Sequence, residues 1–174
     1  MIARLPLISG LTLVWAPNGA NSDYDSTNRQ VVIHSGSPVG GYCNTLAHEL
    51  NHAHQHRVLT DAGFNIIPND PNGPAPGMDP LARWADTREG AAFIAATGWT
   101  LSGGAWIAPP STPGGWNPPA GGPWEDAAEF GGQFFDPGRH FPRTLLQTQS
   151  PSRYAWAQAW LPRPTRRGIW LSKP

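Results

Sequence analysis

The sequence predicts a single α+β domain, with a short N-terminal β-sheet followed by helices and long irregular loops. Segments rich in β-branched and aromatic residues are concentrated near the N-terminus, and helical patterns follow them. Twenty glycines and twenty prolines interrupt the 174-residue chain, while nine tryptophans supply aromatic area for a core. We therefore assign residues 1–174 to one domain, with long Gly-, Pro- and Trp-rich loops at residues 61–80 and 101–123 and an extended tail at 163–174.

Two strands are predicted before the first helix. Residues 10–17, GLTLVWAP, are rich in β-branched and aromatic side chains and end at a proline. Residues 18–28 have turn composition throughout, and residues 29–35, RQVVIHS, form a second short strand. We expect the two strands to form an antiparallel hairpin. A short apolar run after Arg4 is similar to a signal peptide, but polar residues and a proline interrupt it, so we interpret it as a strand.

Four helices are predicted downstream of these strands. The first begins near Asn44 or Thr45, either of which can cap it, and ends near Leu59. The other three helices are predicted at residues 86–97, 124–135 and 150–162. One further short strand is predicted at residues 105–108.

The composition argues against several classes of partner. Charged residues make up 14% of the chain and the formal net charge is zero, so no broad basic surface for nucleic acid is expected. No run approaches the ~20 apolar residues of a membrane span. The single cysteine, Cys43, excludes an internal disulfide and a multi-cysteine zinc site. Without a convincing signal peptide, we expect a cytoplasmic location or delivery by a non-classical route such as a secretion system or a phage particle.

The segment TLAHELNHAHQHR, residues 45–57, holds four of the six histidines within nine residues. His48, Glu49 and His52 form an HExxH pattern. Histidines at i and i+4 share one face of a helix, so both imidazoles can bind one cation, and Glu49 beside them can take a proton from a metal-bound water. Two imidazoles and one carboxylate suit zinc and leave a position for water. The pattern predicts one zinc ion per chain, with Glu49 as general base.

The third ligand must come from another segment. Gln55 and Val58 stand where an extended HExxHxxGxxH pattern needs glycine and histidine, which excludes that class. In PWEDAAEFGGQFF, Glu125 lies in the first turn of a predicted helix and Glu129 lies one turn later on the same face. One carboxylate can bind the metal while the other hydrogen-bonds a ligating imidazole, and we favour Glu125 as the ligand. The alternative third ligand is Glu89, in WADTREGAAFIAATGW.

TLAHELNHAHQH followed by PWEDAAEFGGQFF resembles the gluzincin class of zinc metallopeptidases. The pattern is most similar to the minimal zincin domains of bacterial toxins, including the anthrax lethal factor-like catalytic domains, in which an ExxAE helix follows the HExxH helix. The resemblance implies a zincin-like fold with His48, His52 and Glu125 as ligands. It also implies Glu49 as the base and Glu129 as a residue that supports the site.

A second, weaker resemblance concerns the metallopeptidase domain of phage-repressor-cleaving and radiation-response regulators. TREGAAFIAA matches the helix that carries the third ligand in that family, which implies Glu89. The toxin domains also place a tyrosine before the second glutamate to stabilise the oxyanion, and NPPAGGPW lacks one. Residues that could take this role or line the cleft are Tyr42, Tyr154, His140 and His56. His54 is expected to point away from the cleft into solvent.

These patterns predict a zinc-dependent metallopeptidase that acts on a protein or peptide, as a toxin-like effector or as a regulator. Two alternatives stay open. The chain can be a zincin-fold binding or structural module without turnover, such as a component or cargo of a phage or secretion particle, or it can hydrolyse a non-peptide amide. The presence of Glu49 favours catalysis, because a scaffold does not need a base.

Overall fold

A computed structural model describes residues 10–17, 22–34, 42–66, 78–135, 143–161, 163–164 and 170–171 of the chain. Its strands are β1 (Thr12–Ala16), β2 (Asp23–Asp25), β3 (Gln30–His34), β4 (Thr100–Ser102), β5 (Ala105–Ile107), β6 (Arg163–Pro164) and β7 (Trp170–Leu171). Its helices are α1 (Tyr42–Asp61), α2 (Arg88–Thr97), α3 (Pro123–Phe135), α4 (Arg143–Gln149) and α5 (Pro151–Trp160), with a 3-10 helix at Pro80–Asp86. The α+β class predicted from the sequence is confirmed.

The N-terminal sheet has the strand order β1-β3-β2. β1 and β3 run parallel, with Thr12 opposite Gln30 and Ala16 opposite His34. β2 runs antiparallel to β3 along the other side. Helix α1 follows the sheet and packs against both β2 and β3, which places the edge strand β2 beside the histidine-rich helix.

The predicted antiparallel hairpin between residues 10–17 and 29–35 is wrong, because these two segments pair in parallel. The antiparallel partner of β3 is Asp23–Asp25, which lies inside the stretch whose composition predicted only turn. The turn that follows β2 is fixed by Asp25, whose carboxylate accepts hydrogen bonds from the backbone N–H groups of Thr27 and Asn28. This turn chemistry concealed a strand of three residues.

Several other boundaries differ from the prediction. Helix α1 begins at Tyr42, before the expected caps, and it ends at Asp61. The expected strand at 105–108 is present as β5, but it pairs with β4, which was not predicted. Helix α4 was also missed, and it occupies a polar segment with little apolar periodicity. Among the described helices, none has both the length and the apolar composition that crossing a membrane requires.

Helix α1 buries an unusual set of polar side chains. Its buried apolar residues are few, whereas five polar residues are buried, namely Asn44, Glu49, Asn51, His52 and Gln55. Burying a polar group costs free energy unless it finds a partner. Asn51 Nδ2 donates to the Ala47 carbonyl, and Gln55 contacts both His52 and the Trp124 carbonyl, whereas Asn44 Oδ1 has no partner among the described residues.

Helix α3 lies directly against α1, because two glycines remove the side chains that would separate them. A β-carbon at Gly131 would lie 2.6 Å from Asn51 Nδ2, and one at Gly132 would lie 2.7 Å from Asn44 Oδ1. Ala127 and Ala128, also fully buried, extend this small-residue face. The close approach brings the two glutamates of α3 over the histidines of α1.

An aromatic cluster joins the 3-10 helix, α2 and α5. Trp84, Phe93 and Trp156 contact one another in tilted and edge-to-face geometry, with ring centroids 4.7 to 6.1 Å apart. Such contacts add to the free energy gained by burying the rings. The 3-10 helix of this cluster packs against both α1 and α3, and α2 and α5 pack against α3.

A buried ion pair fixes the first turn of α3. Asp126 is fully buried and lies next to Glu125 in the chain. Its carboxylate accepts hydrogen bonds from Trp99 Nε1 at 2.7 Å, from Trp116 Nε1 at 2.9 Å and from Arg153 Nε at 3.0 Å. Buried charges are tolerated when they are paired and fully hydrogen-bonded, as here. Asp126 thus ties α3 to α5 and to the segments that carry both tryptophans.

Replacing Asp126 by asparagine tests this anchor. Asp126→Asn should lower the free energy of unfolding by about 3–5 kcal/mol, because it leaves the buried Arg153 without its counter-charge. Urea denaturation followed by circular dichroism measures the loss. The control is Asp61→Asn, which breaks the exposed Arg57–Asp61 pair and should cost less than about 1 kcal/mol. Equal losses in the two variants would contradict the structural role of Asp126.

Candidate metal centre

The imidazoles of His48 and His52 converge with the carboxylate of Glu125. His48 Nε2 and His52 Nε2 are 3.0 Å apart. Glu125 Oε2 lies 3.7 Å from His48 Nε2 and 3.5 Å from His52 Nε2. His48, Glu49 and His52 also form a group close enough to bind a metal ion, with ligand atoms all within 4.8 Å of one another. The three residues that the sequence proposed as ligands therefore place one atom each within 3.7 Å of the other two.

The spacing of these three atoms can be compared with that of a tetrahedral metal site. With metal–ligand distances of about 2.0–2.1 Å, neighbouring ligand atoms of a regular tetrahedron lie ~3.3 Å apart. The observed separations of 3.0, 3.5 and 3.7 Å lie on both sides of this value. These separations are compatible with three ligand atoms around one tetrahedral ion.

The second nitrogen of each imidazole is already engaged. His52 Nδ1 lies 2.9 Å from Gln55 Oε1, and His48 Nδ1 lies 3.3 Å from Glu129 Oε2. Both oxygens can only accept, so both Nδ1 atoms carry the hydrogen. In the neutral imidazoles the two Nε2 lone pairs then face each other. Such an arrangement needs positive charge between the rings, which a proton or a metal cation can supply.

The carboxylates beside the histidines are held in the ionised form. The hydrogen bond from His48 holds the pKa of Glu129 below its usual value, and Gln133 Nε2 donates a second bond at 2.9 Å. Burial opposes ionisation of Glu125, but the hydrogen bond and the charge of His52 lower the pKa of Glu125 overall. The same contact acts on the imidazole: burial disfavours its charged form, yet Glu125 raises the pKa of His52.

Glu49 differs from these two carboxylates. It is 5% exposed, and burial raises its pKa to about 7, against the opposing influence of His48 and His52. Asp23 on the edge strand β2 adds to the negative potential at Glu49. A carboxylate with a pKa near neutrality is suited to accept a proton and give it back. A cation held between the histidines would favour its ionised form.

The alternative ligand, Glu89, is placed on a different face of α1. Its carboxylate contacts His54 Nε2 at 3.1 and 3.2 Å, and its side chain is buried. His54 lies two residues beyond His52, about 200° further round the helix. His54 points away from the cleft, as expected, but it is only partly exposed, because Glu89 in the first turn of α2 contacts it.

The remaining sequence candidates are dispersed. The His56 ring accepts a hydrogen bond from the Tyr24 hydroxyl at its Nδ1, and burial lowers the pKa of His56, in keeping with a neutral acceptor. Tyr154 packs on Phe134 with ring centroids 5.5 Å apart. The Tyr42 side chain and His140 lie outside the described residues. None of these placements identifies an oxyanion donor.

Two residues that contact histidines of α1 escaped the sequence reasoning. Gln55 was considered only as the residue that excludes a longer motif, although its position three residues after His52 places it on the same helix face. Tyr24 was hidden in the segment predicted as turn. Its half-buried hydroxyl has a pKa raised by burial to about 12, and it contacts His56 one turn beyond His52.

No family model, curated protein or solved structure matches this chain. The assignment of a function therefore depends on the geometry and chemistry of the centre itself.

The geometry predicts which glutamate matters for metal binding. Glu125→Gln should weaken the binding of a divalent cation by at least about 10-fold, since its oxygen completes the triangle of ligand atoms. Glu89→Gln is the matched control and should leave affinity within about twofold, because Glu89 contacts His54 instead. Competition with a chromophoric chelator measures both affinities. A larger loss in Glu89→Gln would assign the third ligand to α2.

Proposed function

We propose that this chain is a zinc-dependent metallopeptidase. One observation carries the proposal: two imidazoles with engaged Nδ1 atoms point their Nε2 atoms at each other and at Glu125 Oε2, while the buried Glu49 lies alongside. Two histidines and one carboxylate are a ligand set of zinc hydrolases, in which an adjacent glutamate acts as the general base. The gluzincin-like order of the two motifs favours a peptide as substrate.

The ligand chemistry favours zinc over a harder cation. Imidazole nitrogens suit zinc, whereas magnesium and calcium prefer sites made of oxygen ligands. The three carboxylates of Glu49, Glu125 and Glu129 surround only two histidines, so a dication offsets an excess of negative charge. Bound zinc would act as a Lewis acid that polarises the scissile carbonyl and lowers the pKa of water.

The residues of the chain then have separate tasks. His48, His52 and Glu125 would hold the ion. Glu49 removes a proton from the attacking water, whose oxygen forms a bond to the carbonyl carbon. When the C–N bond breaks, Glu49 returns this proton to the leaving amine nitrogen. Burial makes the Glu49 carboxylate more basic, which favours the first transfer, and the same carboxyl group then carries the proton for the second.

Glu49→Gln separates catalysis from metal binding. The amide cannot accept the proton, so peptide hydrolysis should fall by at least about 100-fold while zinc content is unchanged. Turnover of a quenched fluorescent peptide library, together with elemental analysis of the same samples, measures both quantities. Glu89→Gln, on the other face of α1, is the control and should keep wild-type turnover.

Two results would contradict the proposal. Full turnover in Glu49→Gln would remove the general-base role of this residue. Zinc-loaded wild type that cleaves a non-peptide amide but none of the peptides would keep the chemistry and change the substrate class.

A further inference from the structure

Gln55 connects the two helices that carry the metal ligands. Its Oε1 lies 2.9 Å from His52 Nδ1, and its Nε2 donates to the backbone carbonyl of Trp124 at 2.8 Å. Trp124 immediately precedes Glu125 in the chain. One amide thus contacts a histidine ligand on α1 and the residue before the carboxylate ligand on α3.

The orientation of this amide is determined by its partners. The Trp124 carbonyl can only accept, so the amide nitrogen of Gln55 must point towards α3. The amide oxygen must therefore point towards His52, whose Nδ1 can only donate to it. The neutral His52 ring is left with its lone pair on Nε2, facing His48 and Glu125. The hydrogen bond that Gln55 donates to the Trp124 carbonyl of α3 thus determines which nitrogen of the His52 ring carries the hydrogen.

Burial makes the arrangement difficult to replace by water. Gln55 is 2% exposed and His52 is 6% exposed. The other end of Trp124 is held as well, since its indole Nε1 donates to Asp79 Oδ2 at 3.0 Å. Asp79 in turn caps the 3-10 helix through the N–H group of Leu81. The first turn of α3 therefore has fixed contacts on both sides of Glu125.

We propose that Gln55 is a positioning residue that sets the tautomer of His52 and, through the same amide, holds Glu125 in place to receive a metal. The effect on metal affinity rests on the proposed function, whereas the effect on the tautomer does not. Gln55 makes the centre ready in the metal-free protein, so that ion binding requires little rearrangement. Partners of this kind typically contribute 10–100-fold to metal affinity.

The test compares the full-length wild type with Gln55→Leu. In metal-free protein, two-dimensional ¹H–¹⁵N spectra recorded at a pH where the rings are neutral report which nitrogen of His52 is protonated. Wild type should show His52 protonated at Nδ1, and Gln55→Leu should lose this preference. Zinc affinity, measured with a competing chelator, should fall 10–100-fold in the variant. Gln147→Leu, an exposed glutamine on α4, is the matched control and should change neither property.

A second variant keeps the test decisive if Gln55→Leu does not fold. Gln55→Glu retains an acceptor for His52 Nδ1 but lacks the amide donor to the Trp124 carbonyl. The tautomer should persist while zinc affinity still falls, which isolates the contribution of the contact with α3. Unchanged affinity in Gln55→Glu would overturn that contribution.

The remaining outcomes are distinct. An Nδ1-protonated His52 in folded Gln55→Leu, or an affinity within twofold of wild type, would overturn the proposal for Gln55. Wild type that shows the expected tautomer but binds no zinc would overturn the proposed function and the link to metal affinity, and it would support the role of Gln55 at His52.

Discussion

His48 Nε2 and His52 Nε2 face each other at 3.0 Å, and this contact constrains the side chains that surround the two rings. The opposite nitrogen of each ring donates to an acceptor, so neither neutral ring can turn a hydrogen towards the other without losing a bond. Positive charge between them relieves the conflict. Gly131 and Gly132 allow α3 to approach, and Gln55 and Glu129 hold the outer nitrogens of the two rings.

The distribution of carboxylates supports the same view. The chain has only four glutamates, and all of them lie at histidines of α1. Glu49, Glu125 and Glu129 surround the His48–His52 pair, whereas Glu89 engages His54 on another face. Two faces of one histidine-rich helix thus contact different helices, one face contacting α3 and the other contacting α2. The buried Asp126–Arg153 pair then fixes the helix that delivers Glu125 and Glu129.

The sequence predicted what short-range periodicity controls. The i, i+4 spacing predicted that His48 and His52 share one helix face and that Glu125 and Glu129 share another. That these two faces meet was expected from the need for a third ligand and from the resemblance of the two motifs to gluzincins. Strand pairing did not follow, because the partner of β3 is a three-residue strand within a turn-rich segment. The contact of Gln55 with Trp124 and that of Glu89 with His54 join residues distant in the chain, and no local pattern encodes them. Strand β2, from which Tyr24 reaches His56, was missed because it lies in a segment whose composition predicted only turn.

The account depends on an ion between His48 and His52, and metal stoichiometry tests this most directly. Elemental mass spectrometry would be applied to the purified wild type, to His52→Ala and to His54→Ala after exposure to zinc and removal of the excess. The account predicts about one zinc ion per chain in wild type and in His54→Ala, and none retained by His52→Ala. Absence of zinc from the wild type, or equal zinc in His52→Ala, would contradict it.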